Sequence, residues 1–435
     1  MKRQPHSHPS TGKLSVLRQV CNFIPPGLIP ALARETGVAA RCRSFSAHSH
    51  ITSLLYAQIA HCVSLNDLCD ALHLHSHALL AVRGALPPSR NNLSHANKTR
   101  AAVLAEQLFW RSLDHLRTQH PGFGPKGRRA YGKAFRFKTP VHVADATVME
   151  LVASCTDWAC HQHRKAAAKT HVRLDLQTLL PRYVIVDTAR EHDNRRAREL
   201  CAGLRRGEIA VLDKGYVDFA HFADLSARGI FWVTRPKDNQ QFRVIQNMPG
   251  TLSKDPRVVS DELVELTIDR TRELYPQAFR RVVARVEVDG ELRQLAFITN
   301  NLQWAAGSVA NLYQARWSVE AFFKQLKQTL QVADFLGHSA NAVRWQVWTA
   351  LLAYLLLRFL AWWSQWGHSF ARLVTLLRAA LWQRWNLYDL LARCYGTAAG
   401  NYRLLGRPEQ AYLLHPLWDS TAHKPDQNLN LLPAL

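Results

Sequence analysis

The sequence predicts an α/β protein: a mixed sheet with helices, carrying a strand-rich insertion and flanked by helical regions at both ends. Three observations predict it. Apolar residues recur at helical spacing up to about residue 115 and again after 305; alternating and continuous apolar runs take over from 139; and polar turns with a hairpin pattern occupy 236–300. With 47% apolar residues in 435, the chain can bury more than one small core.

The first region, 1–120, reads as helical. Ile51, Leu54, Leu55, Ala57 and Ile59 mark one helix, and Leu65, Leu68, Leu72 and Leu74 a second with Ser64 as its N-cap and Asp67 in its first turn. After Pro87 and Pro88, the run Ser89 to Lys98 is polar and basic at a helix start. Short helices with tight breaks suit a helix-turn-helix-like DNA reader, and an ordinary helical bundle fits the same text. Residues 121–138 form a basic linker without an acidic residue, in which Lys126, Arg128, Arg129, Lys133, Arg136 and Lys138 alternate with Tyr131, Phe135 and Phe137. Such cations can neutralise phosphates while the aromatics stack on bases or pack on the next domain.

The α/β core is expected over 139–235 and 301–345. A strand Val141–Ala144 ends at Asp145; Val172, Leu174 and Leu176 alternate with polar residues; Tyr183 to Val186 forms a third run. A helical stretch over 194–204 leads to the buried-type strand Ile209–Leu212, ended by Asp213. A helix from Phe219 closed by Gly229 precedes the strand Ile230–Val233. The insertion, 236–300, contains an Asp289-Gly290 hairpin turn between Val282–Val288 and Leu292–Thr299. A single long helix is expected from about Ala305 to Leu330, followed by a tryptophan-rich helical region over 346–435.

The 55 Lys and Arg against 33 Asp and Glu leave a net charge of +22, which makes a polyanion the default partner. A membrane fits poorly. The longest apolar run, Val347–Leu357, meets Arg358 after eleven residues, where a spanning helix needs about twenty; a buried helix is the better reading. Apolar residues near the N-terminus are broken by Arg18, Asn22, Pro25 and Pro26, so no signal-peptide core is seen and no secretion is implied. The eight cysteines include no C-x-x-C pair and suggest a reducing compartment. Cys155, Cys160, His161 and His163 supply zinc-ligand types without a zinc spacing. The other histidine groups, at 48, 50, 73, 75 and 77, read as polar helix or loop positions.

Chemistry concentrates in the helix after 305. At roughly 100° per residue, Tyr313, Arg316, Glu320 and Lys327 fall within about 60° of one another, with Lys324 beside them. Leu312, Ala315, Val319, Phe322, Leu326 and Leu330 take the flank and back. A charged face with i,i+4 pairs would explain the stripe alone. The aspartates upstream change the balance, because a carboxylate at the end of an apolar strand needs a metal or arginine partner. Asp145, Asp213 and Glu320 are hard oxygen ligands suited to two divalent cations, Mg²⁺ or Mn²⁺, for in-line phosphoryl transfer. Asp187, Asp193 and Asp218 are competing acids; helix capping accounts for the last two.

The Tyr313-x2-Arg316-x3-Glu320-x6-Lys327 signature resembles that of the DDE transposases of the insertion sequence 4 family. Asp145 in Val-Ala-Asp-Ala-Thr and Asp213 in Leu-Asp-Lys-Gly-Tyr-Val-Asp are similar to that family's other catalytic segments, and Lys169-Thr170-His171-Val172 to a region after its first aspartate. The resemblance covers nearly the whole chain. It implies a ribonuclease-H-like core interrupted by a β-strand insertion, with Asp145, Asp213 and Glu320 as metal-binding catalytic triad. Tyr313, Arg316 and Lys327, joined by Lys324, would hold phosphates of the transposon end. The implied reaction is cut-and-paste transposition on double-stranded DNA, at terminal inverted repeats and then target DNA, by a homodimer in the cytoplasm of a bacterium, associated with the nucleoid through DNA. Some relatives form a hairpin with a flipped base held by an aromatic; Trp232 and Trp304 are candidates for it, and core packing is their competing explanation. A DNA-binding protein that has lost catalysis and a metal-dependent nuclease are the alternative functions.

Overall fold

Four strands with continuous apolar or alternating runs make the centre of a nine-stranded sheet in the computed structural model, which describes residues 9–39, 45–123, 137, 139–151, 166–188, 193–248, 255–288, 290–330 and 336–392. The strands are β1 (Val141–Leu151), β2 (Ala166–Asp175), β3 (Leu180–Thr188), β4 (Ile209–Leu212), β5 (Phe231–Thr234), β6 (Phe242–Asn247), β7 (Val258–Leu266), β8 (Phe279–Val288) and β9 (Glu291–Thr299), in the order β3-β2-β1-β4-β5-β9-β8-β7-β6. β1 to β3 pair antiparallel, and β4 and β5 run parallel to β1. This is the ribonuclease-H-like arrangement that the resemblance implies. The insertion strands do not form a separate sheet: β9 pairs antiparallel with β5, and β8, β7 and β6 follow as a meander.

Each face of the sheet has its own core. Helices Asp193–Cys201 and Phe219–Ala227, the crossovers into β4 and β5, cover one face with Leu200, Phe222 and Trp232. The other face, with Val143, Val172 and Val211, packs on helices Ala306–Ala315 and Ser318–Lys324 and on the helical ends of the chain. The two β-parallel crossovers place Asp213 and Thr234 at the same end of the sheet, where ligands of open α/β sheets bind.

The N- and C-terminal helical regions pack on one another. The helix Ala340–Trp363, N-capped by Ser339, lies against Ala47–Ala60 and Val103–Gln119. By length and composition it is apolar enough to cross a membrane, but it is buried within the protein, and its Tyr354 hydroxyl donates to the Leu179 carbonyl at the β2–β3 turn. The helix Leu65–Leu74 is capped as expected, the Ser64 hydroxyl accepting from the Asp67 amide.

Two sequence expectations are corrected. Asp145 does not end its strand: β1 continues to Leu151 because β2 pairs with it throughout, while its parallel pairing with β4 stops at Ala144–Leu212. The carboxylate thus sits where one neighbour ends and a cleft opens. The helix over 305–330 is not continuous. It breaks after Ala315 into a tight turn, where the amides of Arg316, Trp317, Val319 and Glu320 bond three residues back, and it widens to a π turn over Gln325–Thr329. His50 stands on the helix Ala47–Ala60, a helix position as expected, and is buried there, bonded to Asn97 and packed on Trp345, with burial pulling its pKa down to about 3. The linker residues 124–136 and 138, the Cys155–His163 group with Arg164 and Lys165, and residues 393–435 lie outside the described residues.

Candidate active site

Asp145, Asp213 and Glu320 come from three separate elements and border one open cleft of about 600 Å³, with Thr147, Phe323, Lys324, Lys327 and Gln328 on its walls. Asp145 projects from β1 and its Oδ1 accepts from the Ala146 amide at 2.8 Å. Asp213 follows β4 and caps the turn Lys214–Tyr216, its Oδ2 accepting from the Gly215 amide at 3.2 Å. Glu320 lies in the first turn of Ser318–Lys324 and is the most exposed of the three.

The Arg316 guanidinium sits among them. Its Nη1 donates to Asp145 Oδ2 at 2.6 Å and its Nη2 to Glu320 Oε1 at 3.2 Å, while Nε lies 3.6 Å from Asp213 Oδ1. Arg316 stands at the helix break itself, in the turn that follows Ala315. The Tyr313 hydroxyl donates to Asp213 Oδ1 at 3.3 Å, and its ring is buried against Phe297. The Lys327 ammonium, leaving the π turn, donates to the Val148 carbonyl of β1. Lys324 is exposed on the cleft wall.

Electrostatics follow burial. Desolvation pushes the Asp145 carboxyl up to about 6, helped by Asp213 and Glu320 and opposed by Arg316 and the Ala146 amide. Burial likewise raises the Tyr313 hydroxyl to about 12, against the pull of Arg316. Burial disfavours the charge on Arg316, yet Tyr313, Asp145, Asp213 and Glu320 together raise its pKa. Among the described residues no three His, Cys, Asp or Glu side chains close on a common point as a preformed metal centre. The three carboxylates instead share one organic cation, and their donor set, oxygen only, fits hard divalent ions.

This constellation sits inside the stretch 136–356 that matches a family model described as Transposase DDE domain, about half of the chain. The chain is a DDE transposase of the insertion sequence 4 family. Residues 12–82 of the transposase match a Domain of unknown function (DUF4372). It is 28% identical over 278 residues to the protein named transposase y4zB of Sinorhizobium fredii, covering 63% of this chain and 72% of that one. It is also 28% identical over 235 residues to a protein named as the transposase of insertion sequence element IS5377 in Geobacillus stearothermophilus, covering 54% and 60%. With the insertion sequence 4 transposase of Escherichia coli it shares 26% over 181 residues, 40% and 39% of the two chains. Transposases of this class act on DNA and generally depend on divalent metals.

All seven residues singled out in the transposase sequence come to this cleft or its immediate wall. The competing acids do not. Asp187 pairs with Arg196, Asp218 caps Phe219–Ala227 through the His221 amide, and Asp193 begins a helix. Trp232 is buried and stacked on Phe222, and Trp304 packs on Phe137 and Phe231. Sequence reasoning missed Arg235, whose charge acts on Tyr313 from just beyond β5. The signal was available: Arg235 follows β5 as Asp213 follows β4, and the two strands are parallel neighbours.

Proposed function

We propose that this transposase cleaves DNA at the ends of its element and joins the freed 3′-hydroxyl to target DNA, with Asp145, Asp213 and Glu320 as its catalytic carboxylates. The observation that carries the reading is the convergence of these three acids, from β1, the end of β4 and a helix, on one cation at the mouth of an open cleft. In this reading the three acids would hold two divalent ions, Mg²⁺ or Mn²⁺, which when bound activate the attacking oxygen and stabilise the leaving one. Arg316, released from the carboxylates, takes a phosphate oxygen, since a guanidinium satisfies either anion with the same fork of donors. Lys324 and Lys327 on the cleft wall hold the backbone of the transposon end in line, and Tyr313 keeps Asp213 oriented. The helical region 1–120 reads double-stranded DNA at the terminal inverted repeats, the segment 121–138 links it to the core, and 236–300 is the insertion. Two ends must be paired, so a homodimer is the working unit, at the nucleoid of a bacterial cell.

The test uses the purified full chain, DNA carrying the element's own ends, and Mg²⁺ or Mn²⁺. Cleaved ends and joined products are expected, and Asp145→Ala, Asp213→Ala and Glu320→Ala are each expected to remove both by a factor of at least about 10³. Retention of cleavage in any of the three would sink the triad assignment. Binding without cleavage would mark a DNA-binding derivative, and cleavage without joining a nuclease.

A further inference from the structure

We propose that His171 and Tyr216 are positioning residues, a buried pair behind the sheet that sets the separation of Asp145 and Asp213. The two acids stand on different strands, and the parallel ladder that relates those strands ends at Ala144–Leu212, one residue short of both. Backbone pairing therefore stops where the geometry matters most. The turn after Asp213 wraps over the end of β4: the Tyr216 amide donates to the Asp213 carbonyl at 2.9 Å, and the Tyr216 ring enters the core on the face that also holds Ala144. There its hydroxyl is hydrogen-bonded to His171 Nδ1 at 3.0 Å, with the two rings edge to face. His171 is directly opposite Ala146 in the β1–β2 register, and Val172 is opposite Asp145.

The bond thus ties the strand beside Asp145 to the turn that begins with Asp213. Both side chains are essentially buried, His171 at 0% and Tyr216 at 1% exposure, so neither can touch DNA or a cleft ligand from where it stands. Their effect passes through the two acids. A gap between two ligands that is fixed to a few tenths of an ångström sets the affinity for the ion between them, as supporting groups do at metal sites generally.

The inference rests on the reading of Asp145 and Asp213 as metal ligands, and the experiment separates the two. Mn²⁺ binding to the full chain without DNA is followed by electron paramagnetic resonance, beside thermal unfolding, affinity for element-end DNA, and cleavage as a function of Mg²⁺ concentration. Tyr216→Phe keeps the ring and deletes only the hydroxyl. It is expected to unfold within a few degrees of the parent and to bind the DNA end equally, with Mn²⁺ affinity lowered about fivefold or more and a matching rise in the Mg²⁺ needed for half-maximal cleavage. His171→Leu is expected to do the same. His171→Asn, whose amide can meet the Tyr216 hydroxyl near the place of Nδ1, is expected to restore most of the affinity. Unchanged Mn²⁺ affinity in folded Tyr216→Phe and His171→Leu would overturn the proposal, as would a loss that tracks the unfolding temperature and is not restored by His171→Asn. If Asp145→Ala and Asp213→Ala also bind Mn²⁺ like the parent, it is the ligand assignment that fails.

Discussion

Arg316 touches all three candidate carboxylates, and that one side chain explains most of the electrostatics of the cleft. A half-buried cation persists because anions meet it on several sides, and a half-buried Asp145 persists because Arg316 offsets part of its desolvation. The balance is incomplete, since the Asp145 carboxyl remains raised from 3.8 to about 6. A raised carboxyl means that folding favours its protonated form. The resulting penalty is absent below about pH 4, grows between 4 and 6, and is complete above 6. Asp145→Asn should therefore stabilise the DNA-free protein at pH 7–8 by up to about 3 kcal/mol and leave it unchanged at pH 4. Urea unfolding at the two pH values checks this, and equal effects at both would show that the acid's charge is not the cause. On the cation side, Lys327→Ala is expected to abolish cleavage while lowering the slope of log affinity against log salt by only about one.

Among the elements, the segment 306–329 decides the site, and it was only partly legible. The residue types and spacing of Tyr313, Arg316, Glu320 and Lys327 marked the candidate stripe, because they follow from a 3.6-residue period. The break at 316–317 and the π turn at 325–329 left no mark that the sequence alone could reveal: there is no proline or glycine in Asn311–Leu330. Across them Val319, Phe322 and Leu326 pack on the core while Arg316 and Lys327 reach β1, contacts that are made with residues far away in the chain. Asp145 shows the same limit, since Ala146, Thr147 and Val148 extend β1 only because β2 is there to pair with them. Local signals did better at helix ends. Ser339 was not singled out, yet its hydroxyl accepts from the Ala342 amide and starts the long core helix. Ser339→Ala should cost about 1 kcal/mol, read as a lower urea midpoint at unchanged slope; a change below a few tenths would show that packing alone fixes that end.

At the scale of the whole molecule, the charge of +22 and the cleft answer different questions. The excess cations give a general attraction to DNA that should fall steeply with salt, whatever the sequence of the duplex. On the proposed reading the cleft concerns the one phosphodiester that reacts. Accordingly, Asp213→Ala is expected to leave the salt dependence of binding to arbitrary duplex unchanged while ending cleavage, measured on the same preparations by filter binding and by end cleavage. A parallel collapse of both would mean that the substitution unfolds the protein.

What the sequence determined by itself was periodicity, residue chemistry and charge: an α/β core with helical ends, a stripe bearing Arg316 and Glu320, two aspartates directly after apolar runs, and a polyanionic partner. These are legible because each is a property of residues near one another in the chain. The tertiary structure alone decided that the insertion strands extend the central sheet, that Arg316 is the shared counter-ion of three acids, and that His171 and Tyr216 meet behind them. Those facts depend on which strands pair and in what register. Pairing is settled by burying both faces of the sheet at once, a condition no local stretch of sequence contains.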